Sequence, residues 1–220
     1  GLSGGGGVSF RDEELLRLRQ KAEEFNKQRV SEDTLTEELK ESIYDPVTHI
    51  TKIPVVFEEL ELLDGRITMR VPKDFERLSD DMVRQRFIMD SKPQFVYELP
   101  YLPFGLTFML TEIQGDEARI EQMFPYMLRT LKNVGPNVRV ISKGKKVVHG
   151  TYMRWFEAIA QTITEPSYRT VFVFALNGRV VIGCLTCPSR LKKRYQPVME
   201  EMLESLQIPQ ELAKEDGENE

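Results

Sequence analysis

The residue types that carry most enzyme and metal chemistry are scarce in this sequence. Its 220 residues include two cysteines, two histidines and one tryptophan. Two cysteines are too few for a disulfide scaffold. A structural zinc site needs four ligands, and only His49 and His149 could join the two thiols. We therefore expect neither a metal site nor a cofactor.

Long apolar runs and an excess of positive charge are also missing. No apolar segment approaches the roughly 20 residues that cross a bilayer, so no membrane span is predicted. The net charge of −5 argues against a nucleic-acid binder, which normally carries a basic excess. The first ten residues, GLSGGGGVSF, lack the basic start and apolar centre of a signal peptide. They favour a cytoplasmic location, although a leader ahead of Gly1 would leave this pattern unchanged.

Recognisable catalytic motifs do not occur. The glycine run in residues 4–7 lacks the Lys-Ser/Thr ending of a phosphate-binding loop, and the sequence has no nucleophile elbow. The many carboxylates lie on helix faces that we expect to be solvated, and none forms an acid–base pair at a recognisable spacing. The sequence therefore favours a protein that is not an enzyme.

The segment VFVFALNGRVVIGCLTC is the strongest structural signal in the chain. Asn177 and Gly178 have the residue types of a two-residue hairpin turn, in which both positions adopt positive φ. The flanking runs, residues 171–176 and 180–185, are apolar nearly throughout. Antiparallel strands with one solvated face would instead alternate apolar and polar residues. The hairpin is therefore predicted to be covered on both faces, with helices on each side of the sheet.

The chain divides into three predicted parts. Residues 1–52 form a glycine-rich start and a helical arm, residues 53–208 an α+β domain, and residues 209–220 an acidic tail. In the arm, Leu15, Leu18, Ala22 and Phe25 recur at three- and four-residue steps, which is typical of an amphipathic helix. Further helices are predicted at 80–87, around 120–131 and at 189–206. Strands are predicted at 55–63, 67–71, 94–99, 106–113, 138–147 and 150–164, and in the hairpin.

Local signals refine three of the helices. Thr34 and Glu37 have the spacing of a capping box, which predicts a second arm helix that continues to Ile43. Pro125 lies inside the helical pattern of residues 120–131 and predicts a kink or a helix in two pieces. Pro197 predicts the first turn of the closing helix, with residues 189–195 as a separate lead-in.

The order of elements resembles a known fold. The segments that carry the resemblance are ITMRVPKDF, LTFMLTEI with the helix after it, and VFVFALNGRVVIGCLTCP with the closing helix that ends in ESLQI. Together they resemble the PsbP-like or DcrB-like fold, which a release factor for the Ran GTPase shares. The resemblance covers residues 55–208 and implies a bacterial protein with an antiparallel sheet in an α/β/α sandwich. It implies action by protein binding and supplies no catalytic residues.

Two apolar surfaces are candidates for a protein partner. The loop PYLPFG places Tyr101, Leu102 and Phe104 between two strands, where polar turn residues are usual. Either the chain's own helices or a partner must cover them. The arm seam of Leu15, Leu18 and Phe25 poses the same alternative, because so short a helix is marginal alone. An outward-reaching arm would also allow homo-oligomers.

Two other functions remain open. Cys184 and Cys187 form a CxxC, which would suit thiol redox or metal chemistry if a helix N-terminus followed. If the strand continues to Cys187, however, the two side chains point to opposite faces. The basic clusters at residues 142–146 (SKGKK) and 190–194 (RLKKR) could together bind an anionic ligand. Each of these features also has an ordinary structural interpretation, as does Trp155 on a predicted strand.

Overall fold

The computed structural model of the protein describes residues 10–28, 41–87, 92–134 and 137–209. In these residues the chain forms helices and strands that we number in chain order. The helices are α1 (Phe10–Gln28), α2 (Asp80–Arg86), α3 (Glu117–Val134) and α4 (Lys192–Glu204). The strands are β1 (Thr48–Ile50), β2 (Ile53–Val55), β3 (Phe57–Leu62), β4 (Ile67–Pro72), β5 (Glu76–Arg77), β6 (Phe95–Glu98), β7 (Gly105–Gln114), β8 (Val138–Val148), β9 (Thr151–Ala160), β10 (Ser167–Leu176) and β11 (Arg179–Pro188).

Seven of these strands form one sheet at the centre of the fold. Their order is β5-β6-β7-β11-β10-β9-β8, and every neighbouring pair is antiparallel. Two short hairpins, β1–β2 and β3–β4, form separate two-stranded sheets. Sequential strands are therefore mostly spatial neighbours, as short connections require.

The β10–β11 hairpin lies in the middle of the sheet, as its sequence predicts. Its turn residues Asn177 and Gly178 have φ angles of 50° and 76°. On one face Phe172 and Phe174 are fully buried and their rings stack 6.1 Å apart. On the other face Val173 is equally buried. Because a strand sends successive side chains to opposite faces, this pair needs cover on both sides.

Helices supply that cover from both sides. Ile120, Phe124 and Leu128 of α3 pack with Phe156 and Val173 in one apolar cluster. The larger cluster on the opposite face takes its side chains from α4, the β3–β4 hairpin and the inner strands. Its fully buried members from these elements include Ile67, Met69, Phe108, Phe172, Tyr195 and Met202. The predicted α/β/α sandwich is confirmed.

Several local predictions are corrected by the structure. The strand predicted at residues 55–63 is divided at Val56, because β2 pairs with β1 whereas β3 pairs with β4. The helix α3 runs through Pro125 as one element, so the predicted division into two pieces is wrong. This proline is on the exposed side of the helix, and it leaves the carbonyl of Glu121 without its usual helical hydrogen bond.

The start of the closing helix also differs from the prediction. A short 3-10 turn, Ser189–Leu191, leads directly into α4 at Lys192, so Pro197 lies inside the helix and not in its first turn. Leu191 and Tyr195 are four residues apart and both are buried. Side chains at this spacing lie next to each other on one face of a helix, and the chain is helical before Pro197. The predicted second arm helix falls mostly on residues outside those described. Its last residue, Ile43, is fully buried in a turn closed by the bond from the Asp45 N–H to the Ser42 carbonyl.

Gly183 in β11 is required by the aromatic packing on the cross-strand residue Phe172. A Cβ atom at position 183 would lie 2.2 Å from Cζ of this fully buried ring. We predict that Gly183→Ala lowers the free energy of unfolding by about 1–3 kcal/mol, because the ring must leave its position in the packed core. Urea denaturation measures this change.

Gly105→Ala is the matched control, since Gly105 lies in the neighbouring strand β7. There the nearest atom to an added Cβ is the Thr186 hydroxyl oxygen at 3.3 Å, which can move more easily than a buried ring. An equal loss of stability in both variants would contradict the proposed role of the Phe172 ring.

Candidate functional site

The apolar loop at residues 100–105 is covered by the chain itself. Leu102 and Phe104 are 1% and 2% exposed. The Phe104 ring packs 5.6 Å from Phe75 and 5.2 Å from Tyr195, measured between ring centroids. The prediction that Leu102 and Phe104 contact a partner is therefore corrected in favour of the alternative, coverage by the chain's own core.

Tyr101 lies at the edge of this loop and is half-buried. Its hydroxyl donates a hydrogen bond of 2.9 Å to the Asp74 carboxylate. Burial, together with that hydrogen bond, raises the pKa of the phenol above its ordinary value. Tyr101 thus remains neutral and anchors the loop to the segment before β5.

The arm lies against the same part of the domain. Ala22 is buried in the main core, and it lines a cavity of about 120 Å³ together with Leu102 and Pro103. Leu15 and Leu18 are half-buried, whereas the side chain of Phe25 lies outside those described. The two surfaces that the sequence presents as separate candidates thus meet, and each covers part of the other.

A larger cavity, which we call the arm groove, lies further along the arm. Its volume is about 640 Å³, and it runs between α1 and the rim made by β5, α2 and the end of β6. Leu15 lines it, and Leu16 and Met82 leave 52% and 48% of their surfaces exposed beside it. The remaining lining residues are Arg19, Glu76, Arg77, Leu78, Ser79, Arg86, Glu98, Leu99 and Pro100.

Charged groups at the rim of the arm groove are mostly oriented by neighbours. The guanidinium of Arg77 lies 3.3 Å from the Asp64 carboxylate and 4.3 Å from the centroid of the Phe95 ring. Arg86 forms an ion pair with Glu98. Oriented guanidinium groups can recognise carboxylates in two-point fashion. The arm groove therefore combines apolar contact area with paired charges, because each of these arginines already has a carboxylate beside it.

The CxxC pair lacks the geometry of a reactive dithiol. Both cysteines are free and lie on β11, where Cys187 joins the core under α4 and Cys184 packs with the cluster under α3. The two sulfur atoms therefore occupy opposite faces of the sheet. Burial raises the pKa of Cys184 to about 11 and that of Cys187 to about 12. Both thiols are therefore protonated near neutral pH. Because only the thiolate form of cysteine is nucleophilic, neither is reactive there.

The two basic clusters approach each other around a half-buried carboxylate, Glu157. One oxygen of Glu157 accepts hydrogen bonds from the Tyr168 hydroxyl and, at 2.7 Å, from Gln196 Nε2. The other accepts from the Ser142 hydroxyl. We call this group the Glu157 cluster; its donors come from β8, β10 and α4.

Lysines and glutamates surround the Glu157 cluster in similar number. The Lys146 ammonium lies 5.7 Å from the Trp155 ring and 3.9 Å from the Glu204 carboxylate. Lys192 lies 5.3 Å from the Tyr168 ring. A cavity of about 130 Å³ adjoins the cluster, and Glu200 also lines it. This mixture of charge does not favour an anion over a cation, so the structure lends no support to an anionic-ligand site.

The pKa of Glu157 reflects opposing influences. Burial on its own would raise the pKa, but hydrogen bonds from Ser142 and Tyr168, the charge of Lys192 and the bond from Gln196 outweigh it. The pKa is therefore below the ordinary value, and Glu157 is ionised at neutral pH. Sequence analysis missed this cluster. One signal was present in the sequence: Glu157 shares a strand face with Trp155 and Ile159, which pack against the core, and a carboxylate on such a face needs hydrogen-bond donors.

The two histidines lie apart from these features. His49, the exposed middle residue of β1, has its Nδ1 2.8 Å from the Glu41 carboxylate, and His149 lies in the β8–β9 turn with a φ of 45°. Among the residues that the structure describes, His, Cys, Asp and Glu side chains form no group of three that could hold a metal ion. None of the helices in the described residues has the length and apolar character to cross a membrane.

Comparison with known proteins gives a structural likeness and no sequence relative. No sequence-family model matches the chain, and no curated protein sequence matches it. The solution structure of CyanoP, the PsbP protein of the cyanobacterium Synechocystis sp. PCC 6803, is similar to it with a TM-score of 0.53. The identity is 8%, and the match covers 70% of this chain and 92% of CyanoP. The chain therefore has a PsbP-like fold, and at this identity the likeness extends to the fold alone.

Two further structures match with lower TM-scores. One is a protein of unknown function and putative regulator from Pseudomonas aeruginosa, with 10% identity, coverage of 70% of this chain and 96% of the other, and a TM-score of 0.42. The second is LpqN of Mycobacterium tuberculosis, involved in cell envelope biogenesis, with 13% identity, coverage of 73% and 95%, and a TM-score of 0.40. Of the three, CyanoP is the structure that bears on the fold.

The raised thiol pKa values make a direct prediction. Near neutral pH, Cys184 and Cys187 of the native protein should react with a disulfide reagent roughly 100-fold more slowly than an ordinary thiol of pKa about 8.5, because little thiolate is present. Denaturant should release both thiols to react at the ordinary rate, which serves as the control. Fast reaction of either thiol in the native protein would contradict their burial and reopen the redox interpretation.

The Glu157 cluster makes a prediction about pH. A glutamate whose pKa is lower in the folded than in the unfolded state stabilises the fold when the pH is above the ordinary glutamate pKa of 4.5. This stabilisation is lost as the pH falls through the pKa of the folded state. Glu157→Gln should lower the free energy of unfolding by about 0.5–1 kcal/mol at neutral pH, since the donors lose a charged acceptor whose interactions water partly screens. The difference from the wild type should shrink as the medium becomes acidic.

Urea denaturation of both proteins across acidic and neutral pH measures this effect. Glu200→Gln is the matched control, because Glu200 lines the same cavity but is exposed. A wild-type advantage over Glu157→Gln that stays constant with pH would show that the carboxylate's charge is not what stabilises the cluster.

Proposed function

We propose that this protein is a non-enzymatic protein-binding module and that its partner binds in the arm groove. The observation that carries the proposal is the groove itself, a cavity of about 640 Å³ that the chain's own arm lines without filling. Binding sites are typically concave, with apolar walls and a few fixed polar groups. The arm groove has both features, and the described residues around it include no nucleophile paired with a base.

Apolar area would supply most of the binding free energy. Leu16 and Met82 are each about half exposed, with Leu78 and Leu99 beside them in the groove lining. Complete burial of such a side chain stabilises by roughly 1.5–3 kcal/mol, so covering the exposed half of each would contribute about 1 kcal/mol. These two residues are the expected energetic centre of the contact.

The rim arginines would supply selectivity. Arg77 is held by Asp64 and by the Phe95 ring, and Arg86 by Glu98. Groups already oriented in this way lose little conformational freedom when a ligand binds. Leu15 belongs to the same contact, and Leu18 and Phe25 extend the arm beyond it. We expect a partner segment with apolar side chains that fill the groove and polar groups that meet its rim.

The proposal predicts that polar substitution in the arm groove abolishes partner capture. With the tagged protein as bait in a lysate of the source cells, Leu16→Glu/Met82→Glu should retain at least about tenfold less of the specific partner, equivalent to 1.4 kcal/mol. Both residues are half exposed, so thermal unfolding should change little. Ile163→Glu is the matched control, because Ile163 is a fully exposed apolar residue outside the groove.

The same variants test the expectation that the arm mediates homo-oligomers. If sedimentation shows a wild-type oligomer that Leu16→Glu/Met82→Glu dissociates, the partner in the groove is a second copy of the chain. Equal capture of the same proteins by the wild type and the double variant would refute the arm groove as the binding site.

A further inference from the structure

The strand β8 ends the seven-stranded sheet opposite to the arm groove. In the sheet order of the described residues it pairs with β9 alone, so its outer backbone N–H and C=O groups have no strand beside them. The other edge strand, β5, has two residues, whereas β8 has eleven. A long, open edge is a template on which another chain can add a strand.

The pairing of β8 with β9 is regular over most of its length. One irregularity falls between Val140 and Ser142, and from Ser142 to Val148 every residue has a partner in β9. Backbone geometry that is fixed on the inner side also fixes the direction of the outer hydrogen-bonding groups. Seven consecutive residues, 142–148, therefore offer a straight segment for an incoming strand.

The side chains along this edge alternate in a way that specifies a partner. Ile141, Lys143, Lys145 and Val147 are all exposed, and Ile141 and Val147 leave 42% and 68% of their surfaces open. Directly opposite side chains on neighbouring strands interact, and opposite charges there are favourable. A strand that places carboxylates against the lysines and an apolar group against Val147 would complement this face, and Ile141, at the irregularity, adds exposed apolar area at the end of the segment.

Gly144 gives the other face of the edge a different character. A Cβ at position 144 would lie 2.6 Å from Cζ2 of Trp155, its partner in the β8–β9 register. The indole therefore lies across the glycine, and its Nε1–H is buried without an acceptor among the described residues. An added strand would pack side chains against this ring instead of against a β8 side chain. Trp155 is the only tryptophan and so reports on the edge.

We propose that β8 is a docking edge for an extended segment of a partner protein in which acidic residues alternate with β-branched ones. This proposal goes beyond the arm groove, which lies at the other end of the sheet. Edge lysines commonly prevent association between identical chains. The same charges that repel a second copy, in which lysines would face lysines, attract an acidic strand.

The chain's own acidic tail is a poorer occupant. Residues 210–220 contain Glu211, Glu215, Asp216, Glu218 and Glu220, but also a glycine and an asparagine and no β-branched residue. Such a composition is depleted in strands. Charge complementarity alone would admit the tail, whereas the exposed Ile141 and Val147 favour a segment with apolar side chains.

A direct test uses a synthetic peptide in which threonine and valine alternate with glutamate, with blocked ends. Titrated into the 220-residue protein, it should shift the Trp155 fluorescence to saturation and protect the β8 amides from hydrogen exchange. Lys143→Glu/Lys145→Glu should weaken its binding at least tenfold and should instead bind the same peptide with lysine in place of glutamate. Lys73→Glu/Lys193→Glu, which reverses two exposed lysines elsewhere, should leave both affinities unchanged.

Backbone methylation distinguishes strand addition from simple charge attraction. A glutamate peptide methylated at the amides that would face β8 should lose binding at least tenfold. Equal binding of the methylated peptide, or of all the protein variants, would overturn the proposal.

The proposal would also be overturned if the glutamate peptide failed to bind while Lys143→Glu/Lys145→Glu formed oligomers, because the lysines would then serve only to prevent self-association. Tighter binding to a chain ending at residue 209 than to the full chain would identify the tail as the occupant and overturn it likewise.

Discussion

The structure depends on the burial of the β10–β11 hairpin on both of its faces. Phe172 and Phe174 require cover on one side and Val173 and Val180 on the other, and all four are 0% exposed. Because no single layer can cover both sides of a sheet, α3 and α4 must pack on opposite faces. The centre of the sheet is thereby sealed, so surfaces left for binding lie towards its two ends. The arm groove lies beside β5 and β6, and the open edge of β8 lies at the other end.

This sealing also determines the chemistry of the interior. The thiols of Cys184 and Cys187 are held protonated by burial. Glu157 is ionised, but Ser142, Tyr168 and Gln196 donate to its two oxygens. A carboxylate satisfied in this way stabilises the contact between α4 and the sheet and has little capacity to act as a base. These titratable groups thus contribute to the stability of the fold.

Features that local sequence encodes were predicted well. Asn177 and Gly178 specify the hairpin turn, and the unbroken apolar runs beside them specify cover on both faces. The hydrophobic spacing of residues 120–131 specifies α3. Leu191 and Tyr195, four residues apart, indicate helical geometry ahead of Pro197, whereas the proline on its own indicates a later start of α4.

Features that depend on several distant elements could not be predicted in the same way. Whether Leu102 and Phe104 would face a partner or the core depends on Phe75, Tyr195 and the arm, which approach only in the folded chain. The Glu157 cluster likewise draws its donors from β8, β10 and α4, and no local spacing connects them. The openness of β8 follows from its place in the sheet order, which alternation within the strand does not reveal.

The positions of the two surfaces have a consequence for how such a module would act. Six interstrand spacings separate β5 from β8 in the sheet order, which corresponds to roughly 29 Å at about 4.8 Å per spacing. Under the two proposals, one partner would fill the arm groove with apolar side chains, and an acidic strand would face Lys143 and Lys145 on a chain whose net charge is −5. The lysines of β8 would favour an acidic segment, while the acidic remainder of the chain disfavours less specific contacts. At this separation, and with a packed sheet between the surfaces, occupation of one end does not obstruct the other. If both proposals hold, one domain would bind two partner segments at once and bring their proteins together.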